Sequence, residues 1–126
     1  IVKNALDTGK VTYAGSPETM REYIHVEDAA RSSVTILEND FLNQHVILTG
    51  QNSMKVMDLL KILAEILGFP QNTTKFIESN QTGHYIRTPY AYQPKLGRKY
   101  ASPIHVDLGQ GLLQLIEEVQ NNNNEI

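Results

Sequence analysis

The sequence contains no cysteine in its 126 residues. That removes disulfides, thiolate metal ligands and cysteine nucleophiles together, and it fits a cytoplasmic protein. A metal site is not expected either: His25, His45, His84 and His105 stand far apart, with no His-x-x-x-His pair. Concentrated positive charge is also missing. The formal net charge is -3, and the local basic cluster is Lys95, Arg98 and Lys99. A duplex-binding domain shows a basic face, so nucleic acid is not an expected partner. No apolar run is long enough to span a bilayer and no signal peptide is visible, so a membrane is not expected as partner. There is no Gly-x-Gly-x-x-Gly dinucleotide fingerprint; Gly109 and Gly111 alone fit a helix start. The chain opens on Ile1 rather than Met, which suggests a segment excised from a longer protein.

What is present suits one globular unit. Apolar residues make up 40% of the chain and charged residues 20%, enough to bury a single core at this length. Residues 1–6 read as the end of a helix and residues 10–14 as a short strand. Gly15 and Pro17 mark a turn, and residues 21–26 read as a second strand. Alternation there would put Arg21, Tyr23 and His25 on one face and Ile24 and Val26 on the other. The two strands suggest an antiparallel hairpin.

Residues 28–38 read as a helix and residues 45–49 as a strand. Ser53 is the expected N-cap of the next helix. Its stripe of Val56, Leu59, Leu60, Leu63, Ile66 and Leu67 ends at Gly68, with Pro70 beyond. Residues 74–77 suggest a short strand, and the polar stretch 79–102 a long loop. Asp107 and Gln110 resemble a capping box opening an amphipathic helix. Residues 121–124 are all Asn and should fray. The expected fold is therefore a small α+β or α/β domain over residues 1–120, with a frayed tail at 121–126.

The most informative stretch is Met20-Arg21-Glu22-Tyr23-Ile24-His25-Val26-Glu27-Asp28-Ala29-Ala30. It resembles the Arg-Asp/Glu-aromatic-Ile-His-Val-x-Asp block of the NAD-dependent nucleotide-sugar epimerases and dehydratases, the extended short-chain dehydrogenase/reductases. Weaker matches follow in order. Val11-Thr12-Tyr13-Ala14-Gly15 is similar to that family's Val-x-x-aromatic-Gly segment, and Ile47-Leu48-Thr49-Gly50 stands where it has Tyr-Asn-x-Gly. Lys95-Leu96-Gly97 is similar to its Leu-Gly segment, and Gln110-Gly111-Leu112 to its Glu-Gly-Leu helix start.

The resemblance implies the carboxy-terminal, substrate-binding part of such an enzyme. The NAD(P)-binding Rossmann domain would lie upstream, with its Gly-x-x-Gly-x-x-Gly turn and Tyr-x-x-x-Lys pair. Neither motif occurs here, so no catalytic residue and no bound cofactor are expected in this chain. Arg21 would grip the diphosphate of a nucleotide-sugar, since a guanidinium presents a planar fork to two oxygens. Its bland alternative is a strand-end arginine paired with Glu18 or Glu22. Ala14 replaces the family's usual aromatic, so base recognition would rest on the backbone of Thr12 and Ala14. The family's Arg-x-Gly-Asp is replaced by Asn80-Gln81-Thr82-Gly83-His84, which leaves His84 or Arg87 to compensate. Residues 83–92 equally fit a surface loop with packed tyrosines. Asp28 beside His25 suggests acid/base work, but helix capping suits it better. The rival to the enzymatic reading is a free-standing binding or oligomerisation module. The isolated chain is also expected to self-associate through exposed apolar surface.

Overall fold

The computed structural model describes residues 1–51, 53–78 and 97–124. Helix α1 (Val2–Thr8) leads into strand β1 (Thr12–Ala14), and β2 (Met20–Glu22) into α2 (Val26–Thr35). A 3-10 turn at Asn39–Phe41 precedes β3 (Val46–Leu48). Strand β4 (Ser53–Lys55) runs straight into α3 (Val56–Ile66). A second 3-10 turn, Gln71–Thr73, is followed by β5 (Lys75–Ile77), β6 (Arg98–Tyr100) and α4 (Leu108–Asn124). The result is a small mixed α/β fold, as expected from the sequence.

The core sits among α1, α3 and α4. The α3 stripe buries Val56, Leu60, Leu63 and Ala64 against Val2 and Ala5 of α1, Val11 before β1, and Ile116 of α4. Leu60 and Val11 are wholly buried. A fully buried side chain of this kind contributes about 1.5–3 kcal/mol, so this cluster is the main source of stability. Gly68 ends α3 in the left-handed region at φ 68°, with Phe69 N–H bonded to Ala64 O at 2.8 Å. The cap of α4 also matches expectation: Asp107 Oδ1 accepts from Gly109 N at 2.9 Å and Gln110 N at 3.3 Å. Helical geometry continues through the asparagine run to Asn124.

Four expectations fail. First, β1 and β2 form no hairpin. Strand β1 pairs in parallel with β5, β2 antiparallel with β4, and β3 in parallel with β6. The residues after β1 leave along β5, with Gly15 N–H bonded to Ile77 O at 3.0 Å. Second, the strand at 21–26 stops at Glu22, because Val26 already starts α2 and His25 is its N-cap. His25 Nδ1 accepts from Glu27 N at 3.3 Å, so helix capping wins over alternation. Third, Ser53 does not cap α3; it lies in β4. The first α3 amides donate instead to backbone carbonyls of the preceding turn, Val56 N to Thr19 O at 2.8 Å and Met57 N to Pro17 O at 3.1 Å. Fourth, the described end of the expected loop at 79–102 forms β6, the rest of it, 79–96, lying outside the described residues. In β6 Arg98 lies 4.5 Å over the Phe41 ring and Tyr100 meets that ring edge-on at 5.4 Å. Packing a cation and a ring against one aromatic offsets the polar composition of the segment.

Candidate functional site

Arg21 lies at the centre of β2, opposite Met54 of β4. It is half-buried, and its Nη1 donates to the Met20 carbonyl at 2.8 Å. Tyr23, just past the end of β2, feels its charge. Burial pushes the Tyr23 phenol above its ordinary pKa, the nearby Tyr13 phenol adds to that, and the Arg21 charge opposes it. The Tyr23 phenol therefore lies within electrostatic reach of both the Arg21 guanidinium and the Tyr13 phenol, donor groups of the kind that suit phosphate or hydroxyl oxygens.

Beyond the Tyr13 phenol, strand β1 offers main-chain groups. Lys75 N donates to Val11 O at 2.8 Å and Gly15 N to Ile77 O at 3.0 Å. In a parallel ladder the residues of one strand alternate in the direction of their polar groups. Val11, Tyr13 and Gly15 thus face β5, and the N–H and C=O groups of Thr12 and Ala14 point to the opposite edge. Among the described residues no strand pairs with that edge. Tyr13 meanwhile packs inward, edge-on to Phe76 at 6.3 Å.

Behind Arg21 is a buried polar cluster that the sequence did not reveal. Glu22 points to the opposite face of β2, and its side chain is only 5% exposed. Lys99 Nζ of β6 donates to Glu22 Oε1 at 2.6 Å, and the Thr49 hydroxyl, just after β3, donates to Glu22 Oε2. Burial alone would raise the Glu22 pKa. The hydrogen bonds from Lys99 and Thr49, with the Lys99 charge, together bring it below the ordinary carboxylate value. Next to this cluster the chains approach so closely that a Cβ on Gly50 would stand 1.8 Å from the Tyr23 carbonyl oxygen. Only glycine fits there.

A wide cleft of about 990 Å³ opens on the other side of residues 23–28. Leu59 and Leu63 of α3 and Leu112 and Leu115 of α4 line its apolar part, and His25, Gln51 and His105 stand at its polar part. Asp28 also borders it but is committed to structure. Its carboxylate accepts from Val106 N at 2.8 Å and from Arg31 Nη1 at 3.1 Å, tying the first turn of α2 to the segment before α4. It is neither the cap of its helix nor paired with His25.

Of the expected site residues, Arg21 lies in the β2–β4 ladder, while Thr12 and Ala14 belong to the separate β1–β5 ladder. None of Arg21, Thr12 and Ala14 lines the cleft. His84 and Arg87 lie outside the described residues. The Glu22 cluster was missed because its partners are 27 and 77 residues away. The basic cluster containing Lys99 was the only local hint.

No protein-family model matches the chain, and no curated protein sequence matches it. The fold does have a counterpart. It superposes on a crystal structure of dTDP-glucose 4,6-dehydratase from Bacillus anthracis in complex with NAD, with a TM-score of 0.69 over 98% of this chain. The chain shares its fold with part of that dehydratase. The two are 16% identical, and this chain spans 39% of the dehydratase chain, so the likeness is one of fold over less than half of that enzyme. Among the described residues no group of side chains could hold a metal ion, and no helix is long and apolar enough to cross a membrane.

Proposed function

We propose that this chain is the nucleotide-diphosphate-sugar binding part of an NAD-dependent sugar epimerase or dehydratase, with Arg21 as its diphosphate ligand. The observation that carries the reading is the place of the Arg21 block. A sequence resembling the family block that carries its phosphate-binding arginine opens on strand β2 and runs into α2, in a fold shared with part of an NAD-bound dTDP-glucose dehydratase. The planar Arg21 fork suits two diphosphate oxygens. The outward polar groups of Thr12 and Ala14 suit the donor and acceptor edge of a base. His84 or Arg87 would add a further contact to the diphosphate or sugar.

The chain's own residues do not fit NAD. The sequence has no Gly-rich strand-to-helix turn and no Tyr-x-x-x-Lys pair, so the cofactor would sit on an upstream Rossmann domain of a cytoplasmic parent enzyme. The broad cleft, apolar with a polar end, would form one wall of the space between the two domains. By itself this chain would bind substrate weakly and turn nothing over.

The test is titration of the chain with dTDP-glucose, UDP-glucose and GDP-glucose, followed by calorimetry or NMR. At least one should bind, and Arg21→Ala should weaken that binding by about 1.5–3 kcal/mol, the scale of a hydrogen bond to a charged group. Unchanged affinity in Arg21→Ala would make Arg21 a structural strand residue and favour a free-standing binding module.

A further inference from the structure

We propose that Glu22 is a positioning residue for Arg21: its buried carboxylate, clamped by Lys99 and Thr49, holds β2 at the angle from which the Arg21 guanidinium reaches a diphosphate. The proposal rests on the reading of Arg21 just given and adds residues which that reading does not use.

Strand β2 is only Met20–Glu22 and pairs with only one other strand among the described residues, β4. A two-stranded ladder this short is weakly held by its own hydrogen bonds. Its tie to the β3–β6 ladder comes from the next residue after Arg21. Glu22 Oε1 accepts from Lys99 Nζ at 2.6 Å on β6, and Glu22 Oε2 accepts from the Thr49 hydroxyl at the end of β3. Thr49 is itself pinned, its N–H donating to Tyr100 O at 3.2 Å. Adjacent strand residues point to opposite faces. The brace therefore acts from behind, on the very segment that carries Arg21 in front.

A single-point surface contact would not need such a clamp. A guanidinium meeting two phosphate oxygens does, because bidentate geometry fixes the plane as well as the distance. Lys99 is one-third exposed and Glu22 almost fully buried. The pair thus spends a cation on orienting a strand rather than on meeting solvent.

Two measurements on the full chain test this. The first is the order of the Arg21 side chain, read by NMR relaxation of its Nε–H in the absence of ligand. The second is affinity for whichever of dTDP-glucose, UDP-glucose and GDP-glucose binds the unaltered chain. Glu22→Gln and Lys99→Met should each loosen the Arg21 side chain and lower affinity about tenfold or more, while amide shifts of the α1–α3–α4 core stay in place. Lys99→Met decides the matter if Glu22→Gln fails to fold. An Arg21 that stays ordered, or an affinity that stays unchanged, in a folded variant overturns the positioning role even when Arg21→Ala still weakens binding. If Arg21→Ala has no effect, or no probe binds at millimolar concentration, the phosphate reading falls first and this proposal with it.

Discussion

The two halves of this molecule are held together by different chemistry. On one side α1, α3 and α4 enclose an apolar cluster around Leu60. On the other, β2, β3, β4 and β6 are joined by a buried carboxylate, a hydroxyl and an ammonium, with Asp28 bridging α2 to Val106 nearby. Apolar packing is non-directional, tolerates small shifts and supplies most of the free energy. Buried polar contacts add little net stability but fix orientation, since they lose heavily when misaligned. The helical half keeps the chain folded, and the polar half sets the angle of the strand that carries Arg21.

Three substitutions or conditions probe that contrast. Leu60→Ala should have the largest effect. Leu60 is wholly buried in the cluster, and such truncations cost about 2–5 kcal/mol. Denaturant unfolding should show it, and a loss under about 1 kcal/mol would mean the cluster is looser than its burial implies.

Acid should act next, and on the polar half. The folded Glu22 pKa lies below its ordinary value. Its stabilising contribution is therefore complete above that ordinary value and is lost as pH falls through the depressed folded one. Glu22→Gln should be less stable than the unaltered chain at neutral pH by about 1.5–3 kcal/mol. The difference should shrink as the solution is acidified below the usual carboxylate range. A gap that stays constant down to pH ~2 would show that protonation of Glu22 does not break the brace.

The smallest effect lies on the surface of the helical half, outside its core. Lys61 and Asp58 are 3.9 Å apart on α3, with both side chains more than half exposed. Lys61→Ala should change stability by no more than about 0.5 kcal/mol. A larger loss would show surface charge sharing the work assigned here to the core.

The same contrast separates what was legible in the sequence from what was not. The α3 stripe, its end at Gly68 and the Asp107 cap were all readable, because each depends on residues within a turn or two of one another. Strand pairing was not. Each strand is three residues long, too short for alternation to name a partner, and β1 finds β5 across the whole of α2 and α3. The true start of α3 was hidden for a related reason: its amides are satisfied by the carbonyls of Pro17 and Thr19, which no local rule would choose over Ser53. Of the candidate site, the motif supplied Arg21. The Glu22 brace and the outward direction of Thr12 and Ala14 depend on long-range partners and could be read only from the fold.

The outward edge of β1 has an evolutionary consequence. Positions 12 and 14 offer the same donors and acceptors whatever side chains they carry, proline excepted, because the groups belong to the peptide bond. Selection on such an edge leaves almost no trace in residue identity. Substitutions there can accumulate while the hydrogen-bonding edge stays constant. A chain can in this way stand at 16% identity to a protein of the same fold while the hydrogen-bonding groups along such an edge stay the same.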